Sequence, residues 1–166
     1  MRTFLLSILL VMVCVAAAAA QNKTIVLVRH AERASNMATE PDPDLSQEGR
    51  DRAQRLLKIA KKYKPHEIFS TDYKRTRQTV EPIANYRHKT VQIYDPAKHA
   101  ELIDQMMKSN TEHYLIVGHS NSIPVLANLL LKKEVFIPRL SEAEYGVIWV
   151  VRIRKGKLKN VEVLTY

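Results

Sequence analysis

Of the 166 residues, the first twenty read as a leader, and the 146 that remain are enough for one compact domain with a hydrophobic core and too few for two. A formal charge of +9, from 26 Lys and Arg against 17 Asp and Glu, favours anionic partners. The basic residues fall in short groups (Lys61, Lys62 and Lys64; Arg152, Arg154, Lys155 and Lys157) without interleaved aromatics, which argues against a nucleic-acid partner. The single cysteine, Cys14, lies in the leader, so the remainder has no disulfide and no thiol chemistry and tolerates an oxidising compartment.

Met1, Arg2 and Thr3 give a cationic start, Phe4 to Val15 an apolar stretch too short to span a bilayer, and Ala16 to Ala20 a small-residue cleavage region. A secretory signal peptide over 1–20 is therefore expected, cut after Ala20, with a single domain over 21–166 in a secreted or periplasmic location and no stable membrane insertion. An uncleaved anchor is the bland alternative; lipidation at Cys14 is disfavoured because Val13 stands where a small residue is wanted. Asn22, Lys23 and Thr24 form a glycosylation sequon, relevant only in a host that glycosylates exported proteins.

A strand is expected over 25–28, followed by a polar loop through Pro41, Asp42, Pro43 and Asp44 that is too proline-rich for regular structure. After Ser46, residues Ala53, Leu56, Leu57 and Ala60 recur at helical spacing and define one buried face. Glu67 to Ser70 reads as a short strand, with Thr71 or Asp72 capping a helix that runs to about Asn85 and is kinked or shortened by Pro82. Val91 to Tyr94 is the next strand, Ala97 to Lys108 the next helix, and 114–117 a further strand. A helix from Ser122 to Lys132 follows, with Pro124 in its first turn, where a missing N–H costs nothing. Val147–Ile153 and Leu158–Leu164 flank Lys155 and Gly156 as a hairpin. The order implies a three-layer α/β/α sandwich with a mostly parallel sheet and antiparallel edge strands.

Arg29 and His30 end the first strand, and Gly118 and His119 end the one at 114–117. In open α/β sheets the carboxyl ends of parallel strands form the ligand crevice, where His30, Ser70 and His119 would meet. Helices begin soon after Ser70 and after His119, so their N-terminal N–H groups should face the same crevice and favour an anion. Arg75, one turn into the helix after Ser70, joins Arg29 as a planar fork for phosphoryl oxygens. His66, His88, His99 and His113 lie in polar surroundings and read as plain surface residues.

These residues resemble the histidine phosphatase superfamily (phosphoglycerate mutase-like), and in particular its small branch, over essentially the whole chain after the leader. Leu27–Glu32 (LVRHAE) is similar to the arginine-histidine signature; Leu45, Ser46 and Gly49, followed by Ala53, to the LS-x-x-G helix start; Ser70–Thr79 to the segment bearing the pocket arginine, which puts that role on Arg75; and Val117–Ser120 (VGHS) to the segment of the second histidine. Ala31 stands where many members have glycine. Asn36 sits where some members have a pocket asparagine, but its neighbours Arg33, Ala34 and Ser35 are atypical, so it is not counted. Ser120 in place of an aspartate excludes the large acid-phosphatase branch.

The resemblance implies a phosphatase that needs no metal and no cofactor. His30 would attack phosphorus to form a phosphohistidine that water hydrolyses, while Arg29, Arg75 and His119 bind the substrate and neutralise its oxygens. The substrate would be a phosphorylated small molecule or a phosphorylated protein. Glu101 ranks ahead of Asp95 as the acid that protonates the leaving oxygen, and some small members work without one. Ser120 in GHSNS nearly spells a hydrolase elbow, but no histidine follows His119 and Ser122 replaces the second glycine, so an esterase is disfavoured. A phosphoglycerate mutase is disfavoured by the leader. A catalytically idle family member that binds a phosphorylated ligand or an envelope protein is the alternative of a different class.

Overall fold

The computed structural model describes residues 22–34, 40–137 and 139–166. The expected leader over 1–20, Cys14 and Asn36 lie outside the described residues. Among the described residues six strands, β1 (Lys23–Arg29), β2 (Glu67–Ser70), β3 (Val91–Ile93), β4 (His113–Gly118), β5 (Val147–Arg154) and β6 (Lys157–Thr165), form one sheet in the order β3-β2-β4-β1-β5-β6. Pairings among β1 to β4 are parallel, whereas β5 and β6 add antiparallel on one edge only. Four helices flank it: α1 (Gln47–Ala60), extended by a 3-10 turn at Lys61–Tyr63, α2 (Lys74–Arg87), α3 (His99–Lys108) and α4 (Ile123–Leu131).

Alternation along the strands produces the three layers. Ile25, Leu27, Tyr114, Ile116 and Trp149 point to the face covered by Leu102 and Met106 of α3 and Ile123, Leu126 and Leu130 of α4. Val26, Val28, Leu115, Val117 and Val150 point to the other face, under Leu56 and Ala60 of α1 and Val80, Ile83 and Ala84 of α2. β1 and β4 are hydrogen-bonded neighbours, but the helix after β1 lies on one face and the helix after β4 on the other. The loops leaving these two strands part there, which opens a crevice at their carboxyl ends.

Several boundaries differ from those expected. The helix after Ser70 begins at Lys74, with Tyr73 as its first flanking residue and no cap from its own segment. Asp42, 32 residues earlier, accepts from the Lys74 N–H at 3.0 Å instead, and Asp72 pairs with Arg77 at 2.5 Å. Pro82 neither stops nor shortens this helix, which runs on to Arg87 because Val80, Ile83 and Ala84 anchor its buried face. β3 stops at Ile93, and Tyr94 leaves the strand to bury its ring in the core. The next helix starts at His99 rather than Ala97.

The start of α1 shows why its sequence has this form. Ser46 Oγ accepts from Gly49 N at 3.0 Å, capping the helix, while a Cβ at Gly49 would lie 2.1 Å from the carbonyl oxygen of Glu32. Only a residue without a side chain lets the helix dock on the segment that follows β1. Glu32 then receives Arg52 Nε at 2.7 and 2.9 Å, which fixes the chain just beyond His30. Among the described residues no helix is long and apolar enough to cross a membrane.

Candidate active site

Parallel register brings the two histidines together. Arg29 is level with Gly118 across the β1–β4 pair, so the next residues, His30 and His119, leave adjacent strands side by side, with ring centroids 5.4 Å apart. His30 N donates to Gly118 O at 2.9 Å, which carries the pairing one residue beyond the strand. Gly118 is required here because a Cβ would meet Tyr94 Oη at 2.6 Å and Ser122 Oγ at 2.7 Å. That same Ser122 hydroxyl accepts from His119 N at 2.9 Å. The crevice above is a cavity of about 470 Å³ whose lining includes Arg29, His30, Arg75 and His119, the four residues expected from sequence.

His30 is 4% exposed, and its Nδ1 lies 2.8 Å from the Ala31 carbonyl. A carbonyl only accepts, so Nδ1 carries the ring proton and Nε2 keeps its lone pair. Burial, with His119, Arg29 and Arg75 adding to it, pushes the His30 pKa down to about 3 and keeps the ring neutral. His119 is held differently: its Nε2 lies 2.9 Å from Thr71 Oγ1, which is 3.0 Å from Thr76 Oγ1. Thr76 donates to the carbonyls of Thr71 and Tyr73, so Thr71 donates to Thr76 and accepts from the His119 Nε2–H. Burial, then Arg75 and Arg29, bring the His119 pKa down to about 4.

Arg29 is 1% exposed, and its Nη1 donates to the carbonyls of Ser141 at 2.7 Å and Glu144 at 3.1 Å, while its guanidinium lies 4.0 Å from the Tyr145 ring centroid. Tyr145 also meets the His30 ring edge-on at 5.9 Å. Arg75 repeats the arrangement: its Nη1 is 3.4 Å from Asp42, its guanidinium is 4.3 Å from the Tyr73 ring centroid, and Tyr73 meets the His119 ring edge-on at 5.0 Å. Both arginines bury Nε with no partner among the described residues. A buried N–H left unpaired is costly unless a ligand accepts from it, and both arginines line the cavity.

Other expectations are corrected. Glu101 is exposed and pairs with Lys98 at 3.3 Å, and the exposed Asp95 accepts from Ala97 N at 2.8 Å; neither lines the cavity. The carboxylate that does is Glu142. Ser70 stands at a strand end as expected, but its hydroxyl donates to Thr71 O and it does not line the cavity. At the N-terminus of α2, Asp42 takes the first N–H, that of Lys74.

Two of the four remaining histidines are not plain surface residues. His99 lines the cavity and is half-buried, with Nε2 unpartnered among the described residues, and the half-buried His113 meets the exposed His66 edge-on at 5.6 Å. Tyr73, Tyr145, His99, Arg33, Arg139 and Glu142 are the lining or supporting residues that the sequence reading missed. The one local signal for any of them was Tyr73, two residues before Arg75. Among the described residues no group of three or more His, Cys, Asp or Glu is placed to hold a metal ion.

A neighbouring pair of histidines at the ends of two parallel strands, each with an arginine on a tyrosine, has the donors to hold a tetrahedral oxyanion. Residues 25–98 match the model of the histidine phosphatase superfamily (branch 1). No curated protein matches the sequence at a significant level. Among solved structures the fold is similar to the protein histidine phosphatase SixA complexed with tungstate, at TM-score 0.70 and 14% identity over 86% of this chain and 96% of that one. It is also similar to a mycobacterial glucosyl-3-phosphoglycerate phosphatase, at 0.64 and 14% over 88% and 99%, and to Mycobacterial hydrolase 1, at 0.66 and 15% over 88% and 98%. The family match lies within residues 25–98, and the fold shared with these structures extends over most of the chain.

Proposed function

We propose that this protein is a metal-independent phosphatase that hydrolyses phosphomonoesters or phosphoramidates through a phosphohistidine on His30. The observation that carries the reading is the state of His30: a buried, neutral ring whose Nδ1 is tied to the backbone, leaving the Nε2 lone pair uncommitted beside two arginines with unpaired Nε groups. Nε2 attacks phosphorus and the bond to the leaving oxygen or nitrogen breaks. Water then attacks the phosphohistidine, the N–P bond breaks, and inorganic phosphate leaves. Arg29 and Arg75 neutralise the equatorial oxygens, where charge builds up in both steps, and His119 joins them by turning its Nε2–H from Thr71 Oγ1 to a bound phosphoryl oxygen.

The position of Glu101 and Asp95 outside the cavity favours substrates whose leaving group departs without a dedicated acid, such as an aryl phosphate or a phosphohistidine. Among the similar structures, a protein histidine phosphatase fits this preference, whereas the alkyl ester cleaved by a glucosyl-3-phosphoglycerate phosphatase does not. The composition of residues 1–20 supports action outside the cytosol. The direct test is to mix the protein with radiolabelled substrate, quench within milliseconds into alkaline denaturant, where a phosphoramidate survives, and map the label. Label on His30 is expected; label elsewhere, or a His30→Ala variant with undiminished turnover, would overturn the reading.

A further inference from the structure

The cavity holds more positive charge than one phosphoryl group needs. Four arginines line it: Arg29 and Arg75, buried beside the histidines, and Arg33 and Arg139, which are more open. The side chains of the latter two are 26% and 69% exposed. One carboxylate, Glu142, stands among three of the four. Its Oε2 is 3.5 Å from Arg29 Nη2 and 3.6 Å from Arg33 Nη2, and its Oε1 is 3.5 Å from Arg139 Nη2.

These distances identify a loose counterion. Charge-assisted hydrogen bonds between guanidinium and carboxylate close to about 2.7–2.9 Å, and all three contacts are longer. The Glu142 side chain is itself 60% exposed, so most of its hydration remains. A single carboxylate spread over three guanidiniums leaves them under-neutralised, and a ligand with its own anionic group can take its place at small cost. Arg33 stands one carboxylate oxygen away from Arg29, so a second anion on a phosphorylated small molecule can reach it while the first sits over His30.

We propose that Arg33 and Arg139 form a second anion subsite, that the substrate is a small molecule with a second anionic group on its leaving portion, and that Glu142 is the counterion this group displaces. The proposal rests on the phosphatase reading for the placement of the first phosphoryl group. A cavity of about 470 Å³ accommodates a small dianionic ester.

Binding of two non-hydrolysable probes, measured by calorimetry at fixed ionic strength, separates the possibilities: propylphosphonate with one anionic group and propane-1,3-bisphosphonate with two. The bisphosphonate should bind at least ~10-fold more tightly, the effect of one added charge-assisted contact. Arg33→Gln and Arg139→Gln should each remove most of that advantage and weaken propylphosphonate binding much less than bisphosphonate binding, because the second anionic group is the one they hold. Glu142→Gln should tighten bisphosphonate binding severalfold.

Equal affinity for the two probes, with propylphosphonate displaced by vanadate, would overturn the second subsite and leave the phosphatase reading standing. Failure of both probes to bind would remove both. Equal losses for the two probes in the arginine variants would reduce the outer pair to a general field and overturn the proposal. A Glu142→Gln variant that loses turnover of alkyl phosphates but keeps nitrophenyl phosphate would make Glu142 an acid and overturn its role as counterion.

Discussion

The two halves of the cavity are built alike and held differently. One half is Arg29, His30 and Tyr145, the other Arg75, His119 and Tyr73, each with an arginine on a tyrosine face and a histidine against the same ring. The His30 half is fastened by backbone: its ring by the Ala31 carbonyl, its arginine by the carbonyls of Ser141 and Glu144. The His119 half is fastened by side chains, through Thr71, Thr76 and Asp42. Backbone oxygens only accept, so they set one tautomer and leave Nε2 of His30 free, whereas a hydroxyl relay occupies Nε2 of His119. On the proposed reaction, these surroundings leave His30 a free lone pair to attack and His119 a single N–H, held by Thr71 until an oxyanion is bound.

The sharpest way to break this asymmetry is to remove each ring in turn. His30→Ala should lower turnover by at least ~3 orders of magnitude with the fold intact, as expected for a covalent nucleophile. His119→Ala should cost about 2 orders, the scale of one lost stabilising donor, and still form the phosphohistidine slowly in rapid-quench experiments. Label trapped on His119, or equal losses from the two variants with no trapped intermediate in either, would reverse the roles.

Next in size is the hydroxyl relay. Thr71→Val keeps the shape but leaves the His119 N–H unpaired, and about tenfold in kcat with little change in KM is the expected loss, from a buried donor left without a partner. Thr71→Ser should restore most of it. If valine and serine behave alike, the relay does not set the His119 ring.

Acid stability sharpens the comparison further. Both rings have folded pKa values, about 3 and about 4, below the usual 6.5. As pH falls below 6.5 the unfolded chain takes up protons first, so stability is whole above that value and is lost between 6.5 and the folded values. Chemical denaturation at pH 7, 5.5 and 4 should show a shallower decline in His30→Asn than in the wild type, with His119→Asn in between. Parallel curves for all three proteins would mean that neither ring is held neutral. The smallest effect belongs to the residues outside the cavity: Glu101→Gln and Asp95→Asn should each alter turnover by less than about twofold on nitrophenyl phosphate and alkyl phosphates alike.

What could be read in advance follows the range of the interactions. β1 is an apolar run that ends in Arg29 and β4 one that ends in Gly118, each followed by a histidine, and a sheet places such ends together, so Arg29, His30 and His119 were legible from local pattern and topology. The Ser46 cap and Gly49 were legible for the same reason, since cap and capped N–H lie three residues apart. Tyr145, Glu142 and the carbonyls that hold Arg29 were not, because they lie more than a hundred residues further along the chain and are brought there by β5 pairing against β1. Asp42 was read only as part of a loop, since nothing local shows a carboxylate reaching a helix 32 residues away. Placing the acid at Glu101 or Asp95 failed because helix α3 begins at His99 and turns His99, not Glu101, towards the cavity.

The register of β1 on β4 has one more implication. The separation of the two histidines is set by a hydrogen-bonded strand pair, a ruler with a fixed spacing of about 4.8 Å that no loop can stretch. The residues around the opening, Arg33, Pro96 and Ala97, lie on segments free of that ruler. Insertions and substitutions there can retune which molecule is admitted without moving the attacking nitrogen relative to the ring beside it. Diversification of the mouth and constancy of the reaction are thus assigned to different parts of the chain, and grafting a foreign turn over Pro96 and Ala97 is expected to change the ester preferred rather than the bond broken.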